Sequence, residues 1–321
     1  MVDSQQIEIL LVASDDAGTD WLRTGFEKTG LINVAQVVPD GPSALNWLRG
    51  LSPLSAVSSP SPSPSLILLD LCREGDADLP TDLEVLAELK SDEAIRSIPV
   101  VVVTNNAAQS DVLNAYSRGA CSFVSRPESV KEQEQLLRRF ASYWSQVALL
   151  PRIDQSPVLP ASDDSIDRLV DARIPPIEVL IVDDSEDDVL LLREAFADCS
   201  LVSFIEAIED GELALKFLRR EAPFTNARRP GLVLLDINMP KKNGFEVLAE
   251  MRADARLSNV PVVMLTTSKQ ESDILRAYAN GACSFISKPV SFDRMRRIAE
   301  QFAIYWTLVS DVPSADSAHA G

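Results

Sequence analysis

Five polar residues of the second half of the chain stand where apolar runs end. Asp183 and Asp184 close IEVLIVDD, Asp236 closes LVLLD, Thr266 closes VPVVMLT, and Lys288 follows CSFIS. Carboxylates gathered in one crevice repel one another, so a fold that collects them needs a cation to offset the cost. Mg²⁺ suits that role: it is a hard ion wanting about six oxygens, and it keeps waters that phosphate can replace. Two carboxylates, a backbone carbonyl and phosphate oxygens would complete its shell. A carboxylate such as Asp236 can then attack an activated phosphorus and become an acyl phosphate. Lys288, through a charge-assisted bond, and Thr266, through its hydroxyl, would hold the transferred oxygens. An Asp at a strand end is more often a cap or a turn residue when taken singly; the joint spacing argues for chemistry.

The elements that must position these residues alternate in type. Strand-like runs IEVLIVD, VSFIEAI, LVLLD, VPVVMLT and CSFIS are separated by helical stretches beginning near Asp187, Glu212, Phe245, Ser272 and Ser291. That is a βα unit five times over. Runs so continuously apolar are buried on both faces, which predicts a parallel sheet with helices on each side, an α/β fold. Ligands of such sheets sit at the carboxyl ends of the strands.

The same pattern occurs earlier in the chain. IEILLVASDDAG at Ile7 matches IEVLIVDDSEDD at Ile177, DGPSALNWLR matches DGELALKFLR, LILLD ending at Asp70 matches LVLLD ending at Asp236, and GACSF occurs at Gly119 and Gly281. The first copy carries extra residues in SPLSAVSSPSPSPS and CREGDADLP, both composed as loops. Two domains follow, 1–150 and 177–312, joined by a linker rich in proline and aspartate at 151–176 and followed by a disordered tail at 313–321.

VLIVDDSEDD, LVLLDINMPKKNG, VVMLTTS and SFISKPV, in that order, resemble the four sequence blocks of response-regulator receiver domains. The resemblance covers nearly all of 177–310. It implies two flavodoxin-like (βα)5 domains, each a parallel sheet in the order 2-1-3-4-5. By the same resemblance Asp236 is the phosphoacceptor, and Asp183, Asp184, Asp236 and the Asn238 carbonyl hold Mg²⁺. Lys288 pairs with the phosphoryl group, Thr266 is the switch hydroxyl and Phe285 the switch aromatic. RREAPFTNARRPG before LVLLD and the ending FAIYWTLVSDVP resemble the stand-alone receivers that partner bacterial phytochrome kinases.

The first copy departs from the pattern. Ala13 and Ser14 replace the acidic pair and Arg126 replaces the lysine, while Asp70, Thr104 and Phe123 remain. Asp15 and Asp16 are displaced by two positions and read as the start of the first helix, where carboxylates meet the helix dipole. Arg126 has a planar, always-charged head able to pair with Asp70 without metal. The first domain therefore reads as a pseudo-receiver.

Cys121 and Cys283 read as packed strand residues rather than redox sensors. His319, the single histidine, lies in the tail, so the chain carries no obvious histidine donor of phosphate. Ile298, Phe302, Tyr305 and Val309 recur at helical spacing and match Leu136, Phe140, Tyr143 and Val147. Trp306 and Trp144 lie beside these stripes, and such aromatics can anchor an interface: an intramolecular pseudo-dimer, or a homodimer, through the last helices.

The net charge of −18, without a basic stripe, argues against nucleic-acid binding. No run approaches membrane-spanning length and no basic, apolar leader opens the chain, which together with unpaired cysteine spacing suggests the cytoplasm. The expected function is a two-component response regulator without a DNA-binding output. It would receive phosphate from a sensor histidine kinase, possess no enzymatic activity beyond its own phosphorylation and slow dephosphorylation, and signal to an unknown downstream protein by contact. The alternative is a phosphate-independent tandem-receiver scaffold. An Mg²⁺-dependent phosphatase is disfavoured because no second acid stands two residues after Asp236.

Overall fold

In the computed structural model, residues 6–13, 16–50, 64–71, 83–105, 108–151, 175–197, 199–268 and 270–313 are described. The expected linker, apart from its ends, the two loop insertions for the most part, Ser14, Asp15, Cys72 and the tail with His319 lie outside them.

The first unit runs β1 (Ile7–Val12), α1 (Asp16–Thr29), β2 (Ile32–Val38), α2 (Gly41–Gly50), β3 (Leu66–Asp70), α3 (Glu84–Ser91), β4 (Val100–Thr104), α4 (Gln109–Ser117), β5 (Ser122–Ser125) and α5 (Val130–Gln146). The second repeats it as β6 (Ile177–Val182), α6 (Glu186–Ala195), β7 (Val202–Ile208), α7 (Gly211–Arg219), β8 (Leu232–Asp236), α8 (Gly244–Ala253), β9 (Val262–Thr266), α9 (Glu271–Ala279), β10 (Ser284–Ser287) and α10 (Phe292–Leu308). The sheets are ordered β2-β1-β3-β4-β5 and β7-β6-β8-β9-β10, the order the resemblance implied. Among the described residues the strands pair in parallel.

The central strands LVLLD and VVMLT are buried along their whole length, because helices cover both faces of the sheet. The register sets Asp236 opposite Leu265 and Thr266 opposite Ser287, so the polar residues emerge together where β8, β9 and β10 end. Beside them β6 adjoins β8 while its own chain continues to β7 on the other side. This is the point at which a doubly wound sheet opens a crevice.

The two units meet through their last helices. Tyr143 of α5 stacks on Tyr305 of α10, with ring centroids 4.1 Å apart and planes 10° from parallel. Trp144 Nε1 donates to the Tyr305 hydroxyl at 2.8 Å, and Trp306 Nε1 to the Tyr143 hydroxyl at 3.0 Å. Each tyrosine in turn donates across to the other unit's fifth strand, Tyr143 to Ser284 at 3.0 Å and Tyr305 to Ser122 at 2.9 Å. The chain beyond each helix then lies along the opposite edge strand: the Leu149 amide donates to the Phe285 carbonyl at 2.8 Å, and the Asp311 amide to the Phe123 carbonyl at 2.7 Å. Both edge strands are thereby covered.

Phe140 and Phe302 of the same stripes also pack within their own units, on Phe26 and Phe196. Cys121 and Cys283 are buried at this contact, each thiol directed at a carbonyl of the other unit, those of Ala282 and Ala120. Burial pushes the Cys283 thiol up to about 12, against the pull of Arg252, which disfavours a reactive thiolate.

Candidate functional site

The site is built at the carboxyl ends of β6, β8, β9 and β10. Asp236 is buried, and its Oδ2 accepts from the Asn238 amide at 2.6 Å, which fixes the carboxylate's rotamer. The loop after it folds back so tightly that a Cβ at Gly244 would stand 2.2 Å from the Asp236 carbonyl oxygen; only glycine fits there. Asn243 then caps α8 in a reciprocal capping box with Glu246, ending the loop at a defined point.

Lys288 occupies the centre. Its ammonium lies 2.8 Å from Asp236 Oδ1, 2.8 Å from Asp183 Oδ2 and 2.7 Å from Asp188 Oδ2. Burial alone would lower the Lys288 pKa, but the three carboxylates outweigh it and hold the ammonium above the usual lysine range. Burial raises the Asp183 carboxyl above its ordinary value in spite of the bonds from Lys288 and from the Ser185 amide, the Asp236 charge adding to the rise. Three acids thus share one cation in a partly closed crevice.

The structure brings Asp183, Asp236 and Lys288 together as the spacing predicted, and sets the Asn238 amide on Asp236. Asp184 is exposed beside them. Thr266 is buried, its hydroxyl accepting from the Ser268 amide at 3.1 Å, at the end of the strand next to β8. Phe285 is buried in β10, with its carbonyl bonded to the first unit. Asp188, not singled out from the sequence, is the third partner of Lys288. Its place in the acidic first turn of α6 reads as a complement to the helix dipole, and only the fold shows that it turns inward.

The donor chemistry fits a hard divalent cation. Asp183 and Asp236 converge on a point already held by a positive charge, the Lys288 ammonium. Among the described residues no trio of His, Cys, Asp or Glu side chains is arranged as a metal site; Asp183 and Asp236 are the two buried carboxylates at this point.

In the first unit, Asp70 and Thr104 are buried at the ends of β3 and β4, as their counterparts are, and Ala13 is buried where Asp183 stands in the second. The Arg126 guanidinium lies over the Trp21 ring, 4.8 Å from the centroid.

The response regulator receiver domain family matches residues 179–300. The probable methanogenesis regulatory protein FilR2 of Methanothrix harundinacea (strain 6Ac) is 37% identical over 131 residues, 41% of this chain and 84% of that protein. Response regulator Rcp1 of Synechocystis sp. is 32% identical over 145 residues, 45% of this chain and 99% of Rcp1. Among solved structures, the phosphorylated cyanobacterial phytochrome response regulator RcpA is 35% identical, covering 43% of this chain and 99% of its own, with a TM-score of 0.41. The chain belongs to the response regulator receiver family. No helix among its described residues is long and apolar enough to cross a membrane.

Proposed function

We propose that the chain is a two-component response regulator that accepts a phosphoryl group on Asp236 from a sensor histidine kinase and passes the signal on by protein contact. The observation that carries this reading is the Lys288 ammonium seated 2.8 Å from both Asp183 and Asp236, at the open end of the sheet. Asp183, Asp184, Asp236 and the Asn238 carbonyl are the groups that would hold Mg²⁺. When bound, the ion supplies positive charge to the phosphoryl oxygens. Asp236, fixed by the Asn238 amide, supplies the attacking oxygen. Lys288 donates to a phosphoryl oxygen in place of the Asp236 oxygen it now holds, and Thr266 turns its hydroxyl toward another, with Phe285 following.

The kinase would dock beside the site. Leu190 and Leu191 on α6, and Val290 and Phe292 just after Lys288, are large apolar side chains left exposed. The matching positions of the first unit are Asp20, Trp21, Glu128 and Val130, a more polar set, with Trp21 engaged by Arg126. Such a patch favours a helical partner at the second unit alone. A phytochrome-type kinase is the class suggested by the name of one similar protein, the cyanobacterial phytochrome response regulator RcpA. The cytoplasm, where such kinases keep their phosphoryl donor and where buried thiols stay reduced, is the proposed place of work.

The first unit is a non-accepting pseudo-receiver, Ala13 and Arg126 having taken the places of Asp183 and Lys288. It serves as a tethered partner in an intramolecular pseudo-dimer, with domains spanning 1–150 and 177–312. The test is incubation with Mg²⁺ and acetyl phosphate: an alkali-labile gain of one phosphoryl mass that is absent in Asp236→Asn supports the acceptor. No gain in the parent protein would leave a phosphate-independent scaffold as the better reading.

A further inference from the structure

We propose that Asp188 is the positioning residue of Lys288, holding its ammonium over the acceptor while the other two carboxylates change partners. The inference rests on the reading of Asp236 as phosphoacceptor. An ammonium has three donors, and here each is spent on a different carboxylate, those of Asp183, Asp188 and Asp236. The three acids are not equivalent. Asp183 and Asp236 are deeply buried and face the place a divalent cation and a phosphoryl group would take, so loading the site draws both away from Lys288. Asp188 lies at the mouth, 35% exposed, on the first turn of α6, and is the one of the three carboxylates left to Lys288 once the site is loaded.

Asp188 is itself held in place. Its amide donates to the Ser185 hydroxyl at 3.2 Å, and the Ser185 amide donates to Asp183 Oδ1 at 3.1 Å. The turn that carries Asp183 therefore also sets the carboxylate that aims Lys288. A second, independent observation lies in the other repeat. The residue matching Asp188 is Gly18, and the residue matching Lys288 is Arg126, whose guanidinium lies over the Trp21 ring. Anchor and lysine are present together in one copy and replaced together in the other.

The test uses the full-length chain with Asp188→Asn, Asp188→Glu, Lys288→Ala and the Asp188→Asn/Lys288→Ala double variant. In metal-free protein, acylation of Lys288 by an amine-reactive acetyl ester is followed by peptide mass spectrometry, with the exposed Lys241 as internal reference. Asp188→Asn is expected to speed Lys288 acylation several-fold and Asp188→Glu to restore most of the protection. With Mg²⁺ and acetyl phosphate, Asp188→Asn is expected to slow modification of Asp236 about tenfold, the loss of one charge-assisted bond. In the Lys288→Ala background the same substitution should change nothing further.

Unchanged acylation, an unchanged rate of modification, or a full additional loss in the Lys288→Ala background overturns the positioning role. The two readings fail differently. If the parent protein is never modified at Asp236 while Lys288 acylation responds to Asp188→Asn, the acceptor reading falls and the anchoring of Lys288 stands. If the parent is modified and Asp188→Asn matches it in both measurements, only the positioning role falls.

Discussion

At the scale of single residues, the second site is a cluster of acids held together by one lysine. Removing the lysine leaves Asp183 and Asp236 buried and facing each other's charge, so Lys288→Ala should destabilise the second unit by about 3 kcal/mol. Millimolar Mg²⁺ should recover part of that loss, giving the variant a larger metal-dependent rise in Tm than the parent shows. Equal rises in the two proteins would argue that the cation does not replace the ammonium. Gly244 gives a second residue-scale prediction. Any side chain there meets the Asp236 backbone, so Gly244→Ala should cost about 1–3 kcal/mol in a urea titration and also slow acceptor chemistry by displacing Asp236. That Asp183, Asp236 and Lys288 come together was legible in the sequence because each ends an apolar run, and strand ends in a parallel sheet converge. Asp188 was not legible: helix periodicity places it on a turn, but only the packing of α6 against the crevice turns it to Lys288.

At the scale of elements, the strands were the easiest part to read. LVLLD and VVMLT are buried on both faces, so their apolar character is unbroken and their limits are sharp. Helix starts were displaced by a residue, as at Glu186 against the expected Asp187, because the capping residue rather than the apolar pattern decides the first turn. The aromatic stripes of α5 and α10 were legible as buried faces. Their division was not: Phe140 and Phe302 also serve their own units, while Tyr143 and Tyr305 stack across, a distinction set by the crossing of two helices distant in sequence.

The segment after α10 carries a prediction of its own. Burial raises the Asp311 carboxyl above its ordinary pKa, although the amide and hydroxyl of Ser125 both donate to it. A carboxyl raised on folding stabilises the folded state fully below its unfolded pKa, and that contribution is lost as pH climbs through the raised value. At neutral pH the ionised group is therefore a cost. Asp311→Asn should raise the urea midpoint at pH 7 and change it little near pH 4. A variant less stable at pH 7 would show that the ionised carboxylate holds the two units together.

At the scale of the whole molecule, duplication has produced one equipped site and one altered one, joined face to face. The joining surface is made of buried aromatic rings whose polar atoms find partners in the other unit, the construction of a lasting contact rather than a passing one. Truncating it from one side should be felt on the other. Trp144→Ala, in the first unit, is expected to cost about 3–5 kcal/mol and to speed hydrogen exchange in β10 of the second. Faster exchange confined to the first unit would contradict that coupling. On the proposed reading the second site is the place where phosphate enters. The most direct measurement is the intact mass of the full chain after acetyl phosphate and Mg²⁺, with the modified residue mapped by peptide. One phosphoryl group per chain, on Asp236 and lost in Asp236→Asn although Asp70 is intact, is the predicted result; a second phosphoryl group, or modification of Asp70 in the Asp236→Asn variant, would contradict it.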